Sequence, residues 1–339
     1  MTDSWSEVLG AVFSGRLLSR SEAAWAMEQI MTGEATPARL GALLAGLRVR
    51  GESTEEMVGL VQTMREFSQK VEVDYEVVDT CGTGGDRSGS INVSTMAAFV
   101  VAGAGAKVAK HGNRAASSRC GSADVLEALG VKVDLGPEGV KRCLDEAGIG
   151  FCFAPTFHPS MRHAGPIRKE LGVPTVFNFL GPLTNPAGAK RQAVGISDLN
   201  MAPKMVEVLK ILGSERVLAF RGHDGLDELS TAAPSDLWEL VDGQITQSVI
   251  DPLELGIRRA PSSALEGGTA EENARVVKQV LDGGTGPDRD VVVLNAAAAV
   301  VAAGIAHDLP AALLVAAESV DSGKARRALE QLIDVSNRY

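Results

Sequence analysis

The pattern of hydrophobic and polar positions changes character near residue 70. Before that point, apolar side chains recur at the i, i+3, i+4, i+7 spacing of buried helix faces, most clearly between Leu40 and Leu47. Residues that favour helix N-termini precede these stripes, for example Ser19 and Thr36. The pattern predicts a small all-helical domain over residues 1–72. Its apolar faces pack mainly on one another, with some surface left for self-association.

Beyond residue 73 the chain alternates short apolar runs with helical stretches. YEVVD, AKVAK, VKVDL, GIGFCFA, QAVGI and RVLAF are typical of strands, and LWELVDG and QITQSVID follow closely enough to pair in antiparallel. Such alternation is typical of a parallel sheet covered by helices. The sequence predicts an α/β fold with a mostly parallel central sheet in a large domain over residues 73–339. A helix is predicted from about His158 to Leu171. Residues 166–190, which include the end of this helix, are expected to pack back onto the small domain.

Composition and charge restrict the functional classes. The 339 residues carry a formal net charge of −10, which argues against generic binding to nucleic acid or an anionic membrane. The four cysteines lack metal-ligand spacing, so reduced thiols are expected. The start, MTDSWSE, shows no leader pattern, and no stretch supplies the roughly twenty apolar residues that span a membrane. We expect a cytoplasmic protein.

A glycine-rich segment follows the first predicted strand. The sequence GTGGD at residues 82–86 lets the backbone take positive φ and bring N–H groups close to a ligand. Asn92 then occupies a predicted helix N-cap, with Ser94 and Thr95 in the first turn. Unpaired N–H groups and the helix dipole favour an anion at that point. The segment predicts a phosphate-binding site.

The sequence KHGNR at residues 110–114 follows the next predicted strand. Ligands of parallel sheets bind beyond the carboxyl ends of the strands, where both this segment and the glycine-rich loop fall. Each feature alone is weak evidence, because glycine turns and basic loops are common. Their combination on adjacent strand ends predicts a phosphorylated substrate.

Four further side chains have both a functional and an ordinary interpretation. Asp227 and Glu228 form either a solvated acidic turn or, with the Ser94 hydroxyl and substrate phosphates, ligands for Mg²⁺. Arg168 is either a surface cation or a planar fork for a substrate carboxylate, and the sequence leaves both open. His111 shapes an acceptor pocket or acts as an acid or base.

Taken together, these segments resemble the anthranilate phosphoribosyltransferases, within the nucleoside-phosphorylase-like phosphoribosyltransferase family. The resemblance covers nearly the whole chain. Its motifs occur in the family's order: GTGGD at 82–86, NVST at 92–95, KHGNRAASS at 110–118, GSADVLEALG at 121–130, HPSMR at 158–162, FNFLGPLTNP at 177–186 and GHDGLDELS at 222–230.

The resemblance implies a transferase fold with a cleft between a small helical and a large α/β domain, and a homodimer through the small domain. It also implies the reaction of anthranilate with 5-phosphoribosyl-1-pyrophosphate. The products are N-(5-phosphoribosyl)anthranilate and pyrophosphate, in tryptophan biosynthesis, and two Mg²⁺ ions per subunit accompany the bound donor.

Residue roles follow from the same resemblance. The family's donor-binding positions are Gly82, Gly85, Asp86, Ser90, Asn92, Val93, Ser94, Thr95, Lys110, His111, Gly112, Asn113, Arg114, Ala115, Ala116, Ser117, Ser118 and Ser122. Its metal positions are Ser94, Asp227 and Glu228. Its anthranilate contacts are Gly82, Asn113 and Arg168. Catalysis is then expected to rest on positioning and electrostatics, with His111 the candidate for a direct role.

Two rival functions remain at this stage. A pyrimidine nucleoside phosphorylase shares the fold and handles phosphate and ribose, but the DGLDE turn favours a metal-bound pyrophosphate over free phosphate. A non-catalytic relative that binds nucleic acid needs a broad basic face, which the net negative charge opposes.

Overall fold

The computed structural model describes residues 4–115 and 119–338. The α-helices are α1 (Trp5–Phe13), α2 (Arg20–Thr32), α3 (Pro37–Arg50), α4 (Thr54–Glu66), α5 (Val93–Gly103), α6 (Ser122–Ala128), α7 (Pro137–Ala147), α8 (Ala154–Phe157), α9 (Gly165–Leu171), α10 (Phe177–Leu180), α11 (Ala202–Ile211), α12 (Ala270–Leu281), α13 (Pro287–Ala302), α14 (Leu309–Asp321) and α15 (Lys324–Ser336). The strands are β1 (Val78–Gly82), β2 (Val108–Gly112), β3 (Ile149–Phe153), β4 (Arg191–Gly195), β5 (Arg216–Gly222), β6 (Ser235–Val241) and β7 (Gln244–Ile250).

The first four helices begin where side-chain capping predicts. Ser19 and Ser53 each accept a hydrogen bond from the backbone three residues on, and a glutamate there accepts one from the cap backbone in return. Thr36 caps α3 and is followed by a proline at the first helical position. These helices pack on one another, α2 on α4 and α1 on α3. The all-helical start of the chain is confirmed.

The seven strands form one sheet in the order β3-β2-β1-β4-β5-β6-β7. Neighbours from β3 to β5 are parallel, whereas β5, β6 and β7 pair in antiparallel. The predicted α/β fold with a mostly parallel sheet is confirmed. The strand predicted at VKVDL is wrong: residues 131–135 form no strand and pair with none of the seven strands of the sheet. Their apolar side chains, such as Val133, are still buried in the core.

Two hydrophobic cores cover the two faces of the sheet. Along β4, Ala193 faces one core and Val194 the other, as alternation in a strand requires. The first core contains α5, α13 and α15, with Phe99 fully buried. The second joins the sheet to the N-terminal helices and α11, with Met27 and Met205 fully buried. The helical part of the chain is therefore packed against the sheet through a continuous apolar layer.

The helix predicted from His158 to Leu171 is broken into short pieces. A 3-10 turn covers Pro159–His163, and α9 begins only at Gly165. Gly165 and Pro166 stand at the break, where proline cannot supply a backbone N–H. The segment packs against the N-terminal helices, because the 3-10 turn contacts α2 and α9 contacts α3. No helix within the described residues is long and apolar enough to cross a membrane.

The close contact between α2 and α4 generates a stability prediction. A Cβ added to Gly59 would lie 2.3 Å from the carbonyl oxygen of Arg20. Gly59→Ala is therefore expected to destabilise the fold by about 1–3 kcal/mol. The control is Gly41→Ala in α3, where nothing lies within 4 Å and alanine is expected to stabilise the helix. Urea denaturation measures both variants, and a Gly59→Ala protein as stable as the parent would contradict the prediction.

Candidate active site

The ends of β1, β2 and β5 meet at one edge of the sheet and carry the predicted site. The glycine loop extends β1, Lys110 and His111 lie on β2, and the acidic turn follows β5. The backbone N–H of Gly84 donates to Asp227 Oδ2 at 2.7 Å, and the N–H of Ser94 donates to Glu228 Oε1 at 3.1 Å. Segments more than 130 residues apart in sequence are thus joined by direct hydrogen bonds.

Two glycines make room for the acidic turn. A Cβ on Gly195, at the end of β4, would lie 1.6 Å from the carbonyl oxygen of Asp227. A Cβ on Gly82 would lie 2.6 Å from Asp227 Oδ2. Gly82 is therefore needed here for the close approach of the turn, and its φ lies outside the left-handed region. The glycines with positive φ in this loop are Gly84, Gly85 and Gly89.

The acidic turn is buried at high electrostatic cost. Burial, reinforced by the neighbouring charge of Asp86, raises the pKa of Asp227, and burial together with Asp227 raises the pKa of Glu228 well above its usual range. Asp86 Oδ2 is also buried without a hydrogen-bond partner among the described residues. Uncompensated carboxylate oxygens of this kind fit a cation.

The same residues do not make a complete metal cage by themselves. Within the described residues, no group of three or more His, Cys, Asp or Glu side chains has the arrangement to hold a metal ion. Mg²⁺ usually takes one or two carboxylates together with water and substrate phosphates. Asp227, Glu228 and the Ser94 hydroxyl match that kind of incomplete, oxygen-only site.

Lys110 supplies the positive charge beneath this region. Its side chain is 3% exposed, and Nζ donates to the carbonyl oxygen of Thr80 and, at 3.2 Å, to Ser94 Oγ. Burial lowers the pKa of Lys110, and Asp79 and Glu228 oppose that shift. The ammonium group therefore lies between the first turn of α5 and the end of β1, where an anionic ligand would add to its stabilisation.

The structure corrects the expected capping of α5. Asn92 occupies the N-cap position, but its side chain makes no capping hydrogen bond. Its amide points sideways instead, to the carbonyl of Cys120 and to Asn273. Glu228 accepts the N–H of Ser94 in its place, because the acidic turn brings a carboxylate to the positive end of α5.

The loop after β2 holds its predicted residues through local hydrogen bonds. Ser122 Oγ donates to the carbonyl of Asn113 at 3.1 Å, and a Cβ on Gly112 would meet Ser122 Oγ at 2.3 Å. Arg114 is turned to the surface, where it pairs with Asp124 and Glu127 of α6. In this conformation its charge is already neutralised. The backbone N–H of Ala115 donates to Asp124 Oδ2 at 3.0 Å, and the predicted positions Ala116, Ser117 and Ser118 lie outside the described residues.

The remaining predicted donor positions divide into buried and exposed ones. Val93 and Thr95 are each 1% exposed, and their side chains face the core from the first turn of α5. Only their backbone groups can face a ligand. Gly85 lies on the exposed part of the loop, and the half-exposed Ser90 accepts a hydrogen bond from Ser88 Oγ at 3.1 Å.

Two buried histidines lie side by side, His111 on β2 and His158 just after α8. The rings of His111 and His158 are 5.2 Å apart, and neither Nε2 has a partner among the described residues. Burial lowers the pKa of His111 to about 3 and that of His158 to about 4, so both rings are neutral at pH 7. His111 Nδ1 lies 3.1 Å from the carbonyl of Gly181 and must donate to it. Nε2 of His111 therefore carries the free lone pair.

Arg168 is the half-buried cation of the acceptor region. Its guanidinium lies 5.2 Å from the ring centre of Phe177, and burial lowers its pKa. No carboxylate lies within ion-pair distance of it in the part of the chain that the structure describes. A partly buried guanidinium without a counter-charge favours a carboxylate ligand.

Sequence reasoning missed the residues that support the site from behind. Asp79 is fully buried and accepts hydrogen bonds from the backbone N–H of His111 and from Asn185 Nδ2. Ser197, at the end of β4, hydrogen-bonds to Thr83 Oγ1 and to the carbonyl of Gly84. A polar residue directly preceding the glycine loop was the available signal for Asp79. Ser197 carried no local signal, because strand pairing alone brings it to the loop.

The chain matches both sequence models of the glycosyl transferase family. The helical bundle domain of that family matches residues 6–68, and its a/b domain matches residues 74–326. Anthranilate phosphoribosyltransferase from Rhodopseudomonas palustris (strain BisA53) is 53% identical over 98% of each chain. The chain belongs to the anthranilate phosphoribosyltransferase family. It is thus an enzyme, a transferase of the glycosyltransferase class, and the nucleic-acid-binding alternative is not supported.

Solved structures of this family show the same fold. Anthranilate phosphoribosyltransferase from Thermus thermophilus superimposes with a TM-score of 0.92 at 43% identity, covering 97% of this chain and 99% of that one. The Saccharomyces cerevisiae enzyme, solved in complex with PRPP and Mg, superimposes with a TM-score of 0.91 at 27% identity, covering 99% and 98%. The same yeast enzyme has been solved in complex with 4-fluoroanthranilate.

Proposed function

We propose that this chain transfers the phosphoribosyl group of 5-phosphoribosyl-1-pyrophosphate to the amine of anthranilate, releasing pyrophosphate, as a step of tryptophan biosynthesis. The observation that carries the proposal is the joining of the glycine loop, the first turn of α5 and Lys110 to the carboxylates of the acidic turn at one edge of the sheet. This group of residues fits a phosphorylated donor with its metal. Two neutral histidines, on β2 and just after α8, and the guanidinium on α9 without a counter-charge supply groups that suit an aromatic acid.

The donor side rests on the glycine loop and the segment after β2. The N–H groups of Gly84 and Ser94 already donate to Asp227 and Glu228, so we assign the phosphates to the N–H groups of Gly85 and Asp86 and to Lys110, with Ser90, Asn92, Asn113 and Ser122 around the ribose phosphate. Mg²⁺ fits beside them, held by Asp227, Glu228 and Ser94 together with donor oxygens, and we propose two ions per subunit. When bound, the metal stabilises the negative charge that develops on the leaving pyrophosphate.

The acceptor side rests on Arg168, Asn113 and Gly82. The guanidinium of Arg168 pairs with the carboxylate of anthranilate, which replaces the counter-charge that the protein lacks there. The neutral ring of His111 is held by the carbonyl of Gly181 and its Nε2 is buried, so we propose that it shapes the wall of the acceptor site. Its pKa is too low for a charged ring that could donate a proton at pH 7.

The chemistry needs little more than positioning and charge. Pyrophosphate leaves the ribose while positive charge builds on the sugar ring, and the amine attacks the same carbon. The N–H groups of the glycine loop favour the departing group as its negative charge grows. Holding the two substrates together turns a bimolecular step into an effectively unimolecular one.

Anthranilate fluorescence tests the proposed reaction. The wild-type protein is expected to consume anthranilate only with 5-phosphoribosyl-1-pyrophosphate and Mg²⁺ present. Asp227→Asn with Glu228→Gln should lower turnover by about 100-fold or more, since the charges that hold the metal are gone. The control is Glu330→Gln with Asp334→Asn, which removes the same charge from exposed positions of α15. No fluorescence loss in the wild type overturns the function, and an unchanged Mg²⁺ profile in the acidic-turn variant overturns the metal assignment.

Arg168 gives a separate prediction for the acceptor. Arg168→Gln should raise the KM for anthranilate by roughly 10- to 100-fold, the value of a lost charge-assisted hydrogen bond, with an unchanged KM for the donor. Stability should not fall, because the variant removes an unpaired, partly buried charge. Lys169→Gln, an exposed neighbour on α9, is the matched control. Steady-state kinetics with each substrate varied in turn decides, and a rise in the donor KM instead would reject the assignment.

We further propose a cytoplasmic homodimer through the small helical domain, residues 1–72 with 166–190. Phe13 and Val49 are 66% and 90% exposed, and Phe13 lies beside Gly46, three residues before Val49 on α3. Leu17, between α1 and α2, is a further exposed apolar residue of this domain at 54% exposure. Such exposed apolar residues favour association with a second copy.

Light scattering tests the dimer. The wild type is expected to have the mass of two chains at micromolar concentration, and Phe13→Glu with Val49→Glu the mass of one, since two charges would be buried in the interface. Leu314→Glu, on a 75% exposed position of α14, is the control and should leave the mass unchanged. A single-chain mass for the wild type contradicts the proposal.

A further inference from the structure

A relay of side-chain amides connects α12, near the C-terminal end of the chain, to the donor site. Asn273 lies in the first turn of α12 and is 2% exposed. Its Nδ2 donates to Asn92 Oδ1 at 2.8 Å, and its Oδ1 accepts the backbone N–H of Gly268 at 2.8 Å. Asn92 Nδ2 in turn donates to the carbonyl of Cys120 at 3.2 Å. Three separate segments are therefore held by two asparagine side chains.

The backbone groups at the two ends of this relay set its direction. The N–H of Gly268 can only donate, so the oxygen of Asn273 must face it and the amide nitrogen must face Asn92. The carbonyl of Cys120 can only accept, so the nitrogen of Asn92 must face Cys120. Both ends require the same orientation of Asn92. One N–H of its amide is left without a partner in the described part of the chain, and the side chain is partly exposed.

The segment before α12 also holds the outer end of the glycine loop. The N–H of Gly267 donates to the carbonyl of Gly89 at 2.7 Å, and the N–H of Ile91 donates to the carbonyl of Leu265 at 2.9 Å. A Cβ on Gly267 would lie 2.7 Å from the carbonyl oxygen of Ser90. This contact is independent of the asparagines. Residues 265–273 thus support both the loop and Asn92.

We propose that Asn273 is a positioning residue for the donor site. It fixes the amide of Asn92 so that the remaining N–H, rather than the oxygen, meets the anionic donor. The inference rests on the proposed function, because it assumes that Asn92 contacts the phosphoribosyl donor. Asn273 is not needed to cap α12, since Thr269 and Glu272 already form a complete capping box there.

Asn273→Asp separates this role from a structural one. The aspartate still accepts the N–H of Gly268, and a carboxylate in the first turn of a helix is favourable. It cannot donate to Asn92, so two oxygens would face each other at the present 2.8 Å separation. Turning the amide of Asn92 over would only move the oxygen–oxygen contact to the carbonyl of Cys120, so Asn92 loses its fixed orientation and its free N–H is no longer held toward the phosphoribosyl donor. A neutral second variant, Asn273→Ala, removes the relay without adding charge.

Steady-state kinetics and calorimetry with Mg²⁺ and inorganic pyrophosphate test the relay. Asn273→Asp is expected to raise the KM for the donor by roughly 10- to 100-fold, as one hydrogen bond to a charged group is lost, and Asn273→Ala by a smaller factor. The kcat and the KM for anthranilate of Asn273→Asp should stay close to wild type, its thermal midpoint should fall because a carboxylate is buried at a 2% exposed position, and its pyrophosphate Kd should rise with the donor KM.

Thr269→Ala is the matched control, because it loosens the same helix end without touching Asn92. It should lower the thermal midpoint and leave the donor KM unchanged. The relay is overturned if Thr269→Ala raises the donor KM as much as the Asn273 variants do. It is also overturned if Asn273→Asp raises the donor KM and Asn273→Ala does not. If the wild-type protein forms product and Asn273→Asp has the same kinetics, only the relay is overturned. If the wild-type protein binds pyrophosphate but forms no product, the proposed function is overturned, and the pyrophosphate affinities of the variants still test the relay. If the wild-type protein neither binds pyrophosphate nor forms product, both proposals are overturned.

Discussion

The contact between the acidic turn and the glycine loop is the interaction on which the site depends. Asp227 accepts the N–H of Gly84, and Glu228 accepts the N–H of Ser94 at the start of α5. Gly195 permits this packing because any side chain there would collide with the turn. The two carboxylates thus accept hydrogen bonds from backbone N–H groups that would otherwise be free to bind an anion, and they fix the conformation of the loop. A metal bound with the donor compensates the repulsion that their burial creates.

The charges of the site are arranged so that substrates complete them. Buried carboxylates exceed the one buried lysine on the donor side, whereas Arg168 has no counter-charge on the acceptor side. Leaving charges unpaired costs stability, which the two large cores offset. On the proposed assignment, the metal that accompanies the donor supplies the positive charge that the donor side lacks, and the carboxylate of the acceptor supplies the negative charge that Arg168 lacks. This arrangement favours binding of a metal-complexed polyanion beside an aromatic carboxylate over binding of neutral molecules.

Support for the site comes from positions far along the chain. Asp79 and Asn185 hold the backbone of β2 from below, and Ser197 holds the glycine loop from β4. Asn273 reaches Asn92 from a helix 181 residues away in sequence. Apart from the exposed bond between Ser197 and Gly84, these contacts are buried or partly buried hydrogen bonds, which are costly to leave unsatisfied. The residues proposed to touch substrates are thus held by neighbours that carry no motif.

The sequence by itself determined the helical start, the mostly parallel sheet and the segments that carry the site, because hydrophobic period, caps and glycine turns are local signals. It also assigned GTGGD and KHGNR to one edge, since strand ends of a parallel sheet meet. It erred at residues 131–135, where an apolar run is buried in the core without joining the sheet. It also erred in giving Asn92 a capping bond. Only the tertiary structure decided which carboxylate caps α5, that Arg114 is neutralised and that Arg168 is not, because hydrogen bonds and ion pairs between distant segments depend on where packing places them.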